Sequence, residues 1–237
     1  MDDGVVSRIV KFRLGRCHEC PENAYDSHSG QDGQDGHRFR PQETETNRMV
    51  RLDSRLAAIV RADADLMHVL TTVRGLGLDD WRVFSGAVYQ SVWNTMTGRP
   101  AGYGRKDFDL GYFDPDTSWD AEDAVIKRVA AAFEEPFRAD VEVRNQARVH
   151  LWFPDRFGEP YDALTGTDEA LARFVAPAFA VGVRLEADAT ISIAAPFGLE
   201  DVFSLTIRPN PHRPLARGWT KAVESATARW PELRVLT

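Results

Sequence analysis

Hydrophobic residues recur every three or four positions from Val50 to Val73. Val50, Leu52, Leu56, Ile59, Val60, Leu66, Leu70 and Val73 fall near the helical period and predict a helix over 50–74, stopped at Gly75. Trp81-Arg82-Val83-Phe84 then reads as a short strand. Ser85-Gly86 breaks it, and Ala87–Thr97 reads as a helix that ends at Gly98. Gly98 to Gly104 is a loop rich in Gly and Pro, and Phe108–Phe113 is a strand closed by Asp114-Pro115. Asp120–Phe133 carries an Ala/Val/Ile face and predicts a helix. Val141–Val143 predicts a strand, and Val149–Phe153 another. Phe179–Leu185 and Thr190–Ala194 form a hairpin pattern around Glu186–Ala189. A short helix is expected over Gly198–Leu205, and the last helix within His212–Trp230. Helices and strands alternate throughout, so the fold class is α+β, or mixed α/β.

The hydrophobic pattern fades ahead of Met49. The stretch from Ser27 to His37 is polar and Gly/Asp-rich, and it cannot bury enough surface to offset its ordering entropy. Residues 1–48 therefore read as a mostly disordered extension, with Met49 a candidate alternative start, and 49–237 as the domain. Inside the extension, Cys17-His18-Glu19-Cys20 has His28 and His37 nearby. A structural zinc site needs a second ligand pair in a segment that can fold around it, so these read as incidental thiols. With two cysteines in 237 residues a disulfide scaffold is excluded, and the expected setting is the reducing cytoplasm. No secretory signal is visible at the N-terminus. No apolar run approaches the roughly 18 residues of a membrane helix. The net charge is -7, which argues against a broad electrostatic grip on nucleic acid but not against a small basic phosphate pocket.

The densest chemistry lies in Lys106-Asp107-Phe108-Asp109-Leu110. Side chains alternate along a strand, so Asp107 and Asp109 share one face while Phe108 and Leu110 share the other. Adjacent carboxylates repel, and a divalent cation between them turns that repulsion into binding; oxygen-only donors suit Mg²⁺ or Mn²⁺. A second strand offers Asp140-Val141-Glu142-Val143. Glu142 is the favoured third carboxylate and Asp140, on the same face, its competitor; a slip of one residue would turn either away. Upstream, Phe84-Ser85-Gly86-Ala87 is a strand, a small-residue turn and a helix start, where backbone N–H groups favour a phosphate. Beyond Glu142, an extended backbone would bring Arg148 and His150 to one face as phosphate- or base-binding groups.

A small-residue turn, a helix, an Asp-x-Asp strand and a later carboxylate together resemble the DNA polymerase beta nucleotidyltransferase superfamily. From about Trp81 to Val235 the chain resembles a bacterial nucleotidyltransferase-like family without an agreed substrate. "FSGAVYQSVWN", "DFDLGYFDP", "VEVRNQARVHLWF", "AVGVRL", "APFGLEDVFSLTIRPNP" and "WPELRV" carry that resemblance. It implies a nucleotidyltransferase fold, a small mixed sheet flanked by helices with the active site on the sheet face. It also implies metal ligation by Asp107, Asp109 and Glu142, with Glu142 aiding deprotonation of the attacking hydroxyl, and phosphate binding by Ser85 and Gly86. The implied reaction moves an NMP from an NTP to a hydroxyl acceptor, a small molecule or a protein, and releases pyrophosphate. RNA is the least favoured acceptor for so acidic a chain. Two departures stand out: Ser85-Gly86 replaces the usual Gly-Gly or Gly-Ser turn, and the spacing from Gly86 to Asp107 is lengthened by the loop at 98–104. They leave open an alternative, a catalytically inactive nucleotide-binding or antitoxin-like partner-binding module on the same fold.

Other residues carry plainer readings. Arg105 and Lys106 flank the aspartates, with Lys106 on the solvent side. Trp152, Trp219 and Trp230 read as packing, and Arg208-Pro209-Asn210-Pro211 as a turn. There is no Gly-x-Ser-x-Gly elbow, no Gly-x-x-x-x-Gly-Lys-Ser/Thr loop and no Gly-x-Gly-x-x-Gly after a strand. His68, His150 and His212 are too scattered to suggest a zinc site.

Overall fold

The computed structural model of the chain describes residues 44–213 and 218–237. The first helix, α1 (Glu45–Ala62), starts ahead of Met49 and buries Leu52, Leu56 and Val60 at i, i+4 and i+8. The expected helix over 50–74 is in fact two helices. At Asp63 the backbone turns extended, and the Asp63 side chain accepts a hydrogen bond from Leu66 N, capping α2 (Ala64–Gly75). A strong N-cap residue inside an unbroken apolar period accounts for the difference. Most of the expected extension, with Cys17, Cys20, His28 and His37, lies outside the described residues.

After β1 (Arg82–Phe84) the chain enters α3 (Gly86–Thr97), closed at Gly98 in the left-handed conformation. Next come β2 (Phe108–Tyr112) and α4 (Trp119–Ala131), whose N-cap Ser118 accepts from Ala121 N. One turn of helix, α5 (Phe137–Asp140), leads straight into β3 (Val141–Asn145).

The segment expected as a strand at Val149–Phe153 is helix α6 (Val149–Phe157). Asn145 causes the turn: its side chain accepts from Ala147 N and diverts the chain into a short 3-10 turn, and Gly158 ends the helix in the left-handed conformation. A short apolar run does not by itself distinguish strand from helix. The hairpin β4 (Gly182–Leu185) and β5 (Ile191–Ala194) follows, then α7 (Glu200–Phe203) and β6 (Thr206–Ile207). The chain closes with α8 (Trp219–Arg229) and β7 (Arg234–Val235), which pairs with β6. Among the described residues no helix is long and apolar enough to cross a membrane.

The main sheet has five strands in the order β3-β2-β1-β4-β5, with β2 and β3 parallel and the other pairs antiparallel. Its register divides it into rows. Ile193, Val183, Val83, Leu110 and Val143 lie side by side across all five strands and face the main core. The next row runs Ala194, Gly182, Phe84, Asp109, Glu142 and faces the other way. Half of that second row is covered: the Phe84 ring packs with Leu164, Ala170, Leu171 and Ala180. Gly111 permits this, because a side chain there would collide with the ring. Asp109 and Glu142, beyond the ring, stay half-exposed.

Candidate active site

The site begins where β1 ends. Phe84 is the register partner of Asp109, and Asp109 that of Glu142. One end of three neighbouring strands therefore carries the Ser85-Gly86 turn, Asp107 just ahead of β2, Asp109 within it, and Glu142 in β3. Parallel pairing of β2 with β3 is what brings Glu142 across. Asp140 stands in α5, before the strand starts, although its charge still reaches Asp107.

Electrostatics mark these acids. Burial pushes the Asp109 carboxyl up to about 7, with repulsion from Asp107 and Glu142 adding to it and Arg144 opposing it. The Asp107 carboxyl is also raised, first by burial and then by Glu142, against the pull of Lys106 and Arg229. Among the described residues none of the three acids is held in an ion pair. Other buried acids are: Asp63 binds Arg105 at 2.7 Å and Glu122 binds Arg148 at 2.5 Å. Half-buried carboxylates left without a cation have a donor set that fits Mg²⁺ or Mn²⁺ in kind. Among the described residues, however, no three Asp, Glu, His or Cys side chains are already gathered as a metal cage. The acids stand in an open row, Asp109 and Glu142 as register partners with Asp107 beside them.

The turn is built under strain. Ser85 sits at φ 47° and ψ -111°, a region that glycine adopts readily and other residues rarely do. It persists because the backbone is held on both sides: Ser85 N donates to Val181 O at 2.8 Å, and Ser85 O accepts from Val88 N and Tyr89 N. The Ser85 side chain does not cap α3, so it leaves the first N–H groups of the helix to another acceptor.

Arg148 and His150 are placed elsewhere. A shared face for the two needs an extended backbone, and theirs is helical. Arg148 is committed to Glu122 and lies over the Trp119 ring. His150, in α6, keeps a buried Nδ1 without a partner. Lys106 is exposed, in the segment just ahead of β2. Arg105 is not a solvent residue: it bridges Asp63 and Asp65.

The site contains groups the sequence reading passed over. Arg144 lies two residues after Glu142 in β3, so strand alternation puts it on the same face, and its charge reaches Asp109. The same alternation, applied one step further, would have found it. Arg229 comes from α8, is anchored to Gly104 O at 2.7 Å, and acts on Asp107. Tyr89 and Gln90 lie in the first turns of α3. No local pattern links these last three to the aspartates.

A small mixed sheet, a strand–turn–helix at its central strand and Asp-x-Asp on the next strand define the architecture of a nucleotidyltransferase. A family model described as nucleotidyltransferase matches residues 71–235, well over half of the chain. The chain belongs to that nucleotidyltransferase family, whose chemistry is nucleotidyl transfer. A structure solved by NMR and described as a CCA-adding enzyme head domain is similar in fold. Its TM-score is 0.62 and its identity 24%, over 78% of this chain and 95% of that one. No curated protein matches.

Proposed function

We propose that the chain transfers an NMP from an NTP to a hydroxyl acceptor, a small molecule or a protein, with release of pyrophosphate. The observation that supports this best is the registered pair Asp109–Glu142, with Asp107 beside it, at the sheet end where α3 begins. The N–H groups at the start of α3, around Ser85 and Gly86, receive phosphate oxygens. Arg144 and Arg229 balance the charge of the triphosphate. The acceptor oxygen bonds to the α-phosphorus as the bond from that phosphorus to the pyrophosphate oxygen breaks. Glu142 takes the hydroxyl proton. Asp107, Asp109 and Glu142 would hold Mg²⁺ or Mn²⁺, which when bound supplies charge neutralisation for the triphosphate and the attacking oxygen. Positioning and charge stabilisation do most of the catalytic work in such a site. The setting proposed is cytoplasmic.

Calorimetric titration of each of the four NTPs with Mg²⁺ tests the reading. Binding is expected in the full chain and should vanish in Asp107→Asn/Asp109→Asn while the fold is kept. Equal binding in the double variant would remove the carboxylates from the site.

The strained serine in the turn favours a second reading, a module on this fold that binds nucleotide or a partner without turnover. Pyrophosphate release separates the two. NTP bound with Mg²⁺ but stable in the presence of a broad panel of hydroxyl acceptors would favour the module.

A further inference from the structure

Gln90 stands one turn inside α3, and its side chain leans back toward the start of the helix. A Cβ placed on Gly86 would lie 3.3 Å from Gln90 Nε2. The residue is buried, 6% exposed. Its Nε2 makes one long contact, 3.4 Å, with the Tyr89 hydroxyl, a group that lies within the electrostatic reach of Asp107 and Asp109. The amide therefore lies against the start of α3 and the Tyr89 hydroxyl, and its Oε1 has no hydrogen-bond partner. A buried acceptor left unpaired is costly, and a ligand that donates to it recovers that cost.

The donor can be deduced from nucleotide chemistry. The phosphates of an NTP are almost purely acceptors at neutral pH. Its donors are the ribose hydroxyls and groups on the base. With the phosphates seated on the first N–H groups of α3, the ribose comes next along the molecule and the base lies farther away. We infer that Gln90 Oε1 accepts a hydrogen bond from a ribose hydroxyl of the bound nucleotide, making Gln90 a specificity-determining residue. This rests on the transfer reading above and adds sugar selectivity to it.

The test is calorimetry on the full chain with Mg²⁺. The probes are the tightest-binding ribonucleoside triphosphate, its 2′-deoxy and 3′-deoxy analogues, and inorganic tripolyphosphate. In the wild type, one of the two analogues should bind about tenfold more weakly, which identifies the hydroxyl. Gln90→Met should bind the ribonucleotide about tenfold more weakly, no longer distinguish the analogue, and bind tripolyphosphate as the wild type does. Its melting temperature should change little, because the unpaired Oε1 is removed together with only one long contact to Tyr89. The inference is overturned if the wild type binds all three nucleotides equally, a result that needs no variant. It is also overturned if Gln90→Met keeps the discrimination, or loses tripolyphosphate by the same factor, which would assign the contact to a phosphate. If no NTP binds the wild type, the transfer reading fails and this inference fails with it.

Discussion

Two sets of acids in this protein, one buried and one half-buried, meet opposite fates. Asp63 and Glu122 each face an arginine and a backbone N–H. Asp63 takes Arg105 and Leu66 N, and Glu122 takes Arg148 and Asn145 N. Burial pushes the Asp63 carboxyl up, but the bonds from Arg105, Leu66 N and Ser91 outweigh it and leave the carboxyl below its ordinary value. Asp107 and Asp109 have burial without such bonds, and both are raised. Burial is common to the two sets and the partner decides the sign. One set ties elements together, Asp63 joining α2 to α3 and Arg105, Glu122 joining α4 to β3. The other keeps the repulsion of neighbouring carboxylates without a bonded partner.

The largest expected effect comes from breaking a satisfied pair. Arg148→Met leaves Glu122 buried without its cation, and unfolding in urea should show a loss of about 3 kcal/mol. A loss under about 0.5 kcal/mol would mean that the pair is a surface-like contact after all.

Asp109→Asn should act in the opposite direction. The folded carboxyl titrates near 7, above the ordinary carboxylate range. Between about pH 4 and pH 7 the native state then binds more protons than the unfolded state, so wild-type stability falls as pH rises through that window and levels off above it. In EDTA at pH 8 the asparagine variant should be more stable by about 2 kcal/mol, and its advantage should shrink toward pH 5. A variant less stable than the wild type at pH 8 would mean that the acid is paired.

Adding a cation sharpens the contrast further. Mg²⁺ at ten times its dissociation constant should raise wild-type stability by about 1.4 kcal/mol, seen as a melting shift of a few degrees, and leave Asp107→Asn/Asp109→Asn unmoved. The smallest effect is expected at the turn. Ser85→Gly relieves the positive φ but adds unfolded-state freedom, for a net gain of about 0.5 kcal/mol in thermal melts. A loss would show that the hydroxyl contributes more than the strain costs.

The two sets also differ in how well they can be read in advance. Asp107, Asp109 and Glu142 are visible in the sequence because strand alternation is local, and the resemblance to nucleotidyltransferases supplies the link between strands. The same rule applied past Glu142 reaches Arg144. An extended Val149–Phe153 would favour Arg148 instead, but Asn145 turns the chain into a helix there. The partners of the satisfied set were hidden, since Asp63 meets Arg105 and Glu122 meets Arg148 only after the layers assemble. Even the cap role of Asp63, which splits the first helix, was masked by an apolar period that runs on across it.

The loop from Gly98 to Gly104 lengthens the path between the Ser85-Gly86 turn and Asp107, yet it is pinned at its far end. Asn94 donates to Tyr103 O, Arg229 to Gly104 O, and Arg105 to Asp63. The position of Asp107 is thus set by anchors at the end of the loop and by the pairing of β2, not by the residues counted along the way. Closing a longer loop costs only logarithmically more entropy. Around Pro100 and Ala101 the chain therefore has a stretch in which insertions and deletions can accumulate without transmitting any displacement to the acids.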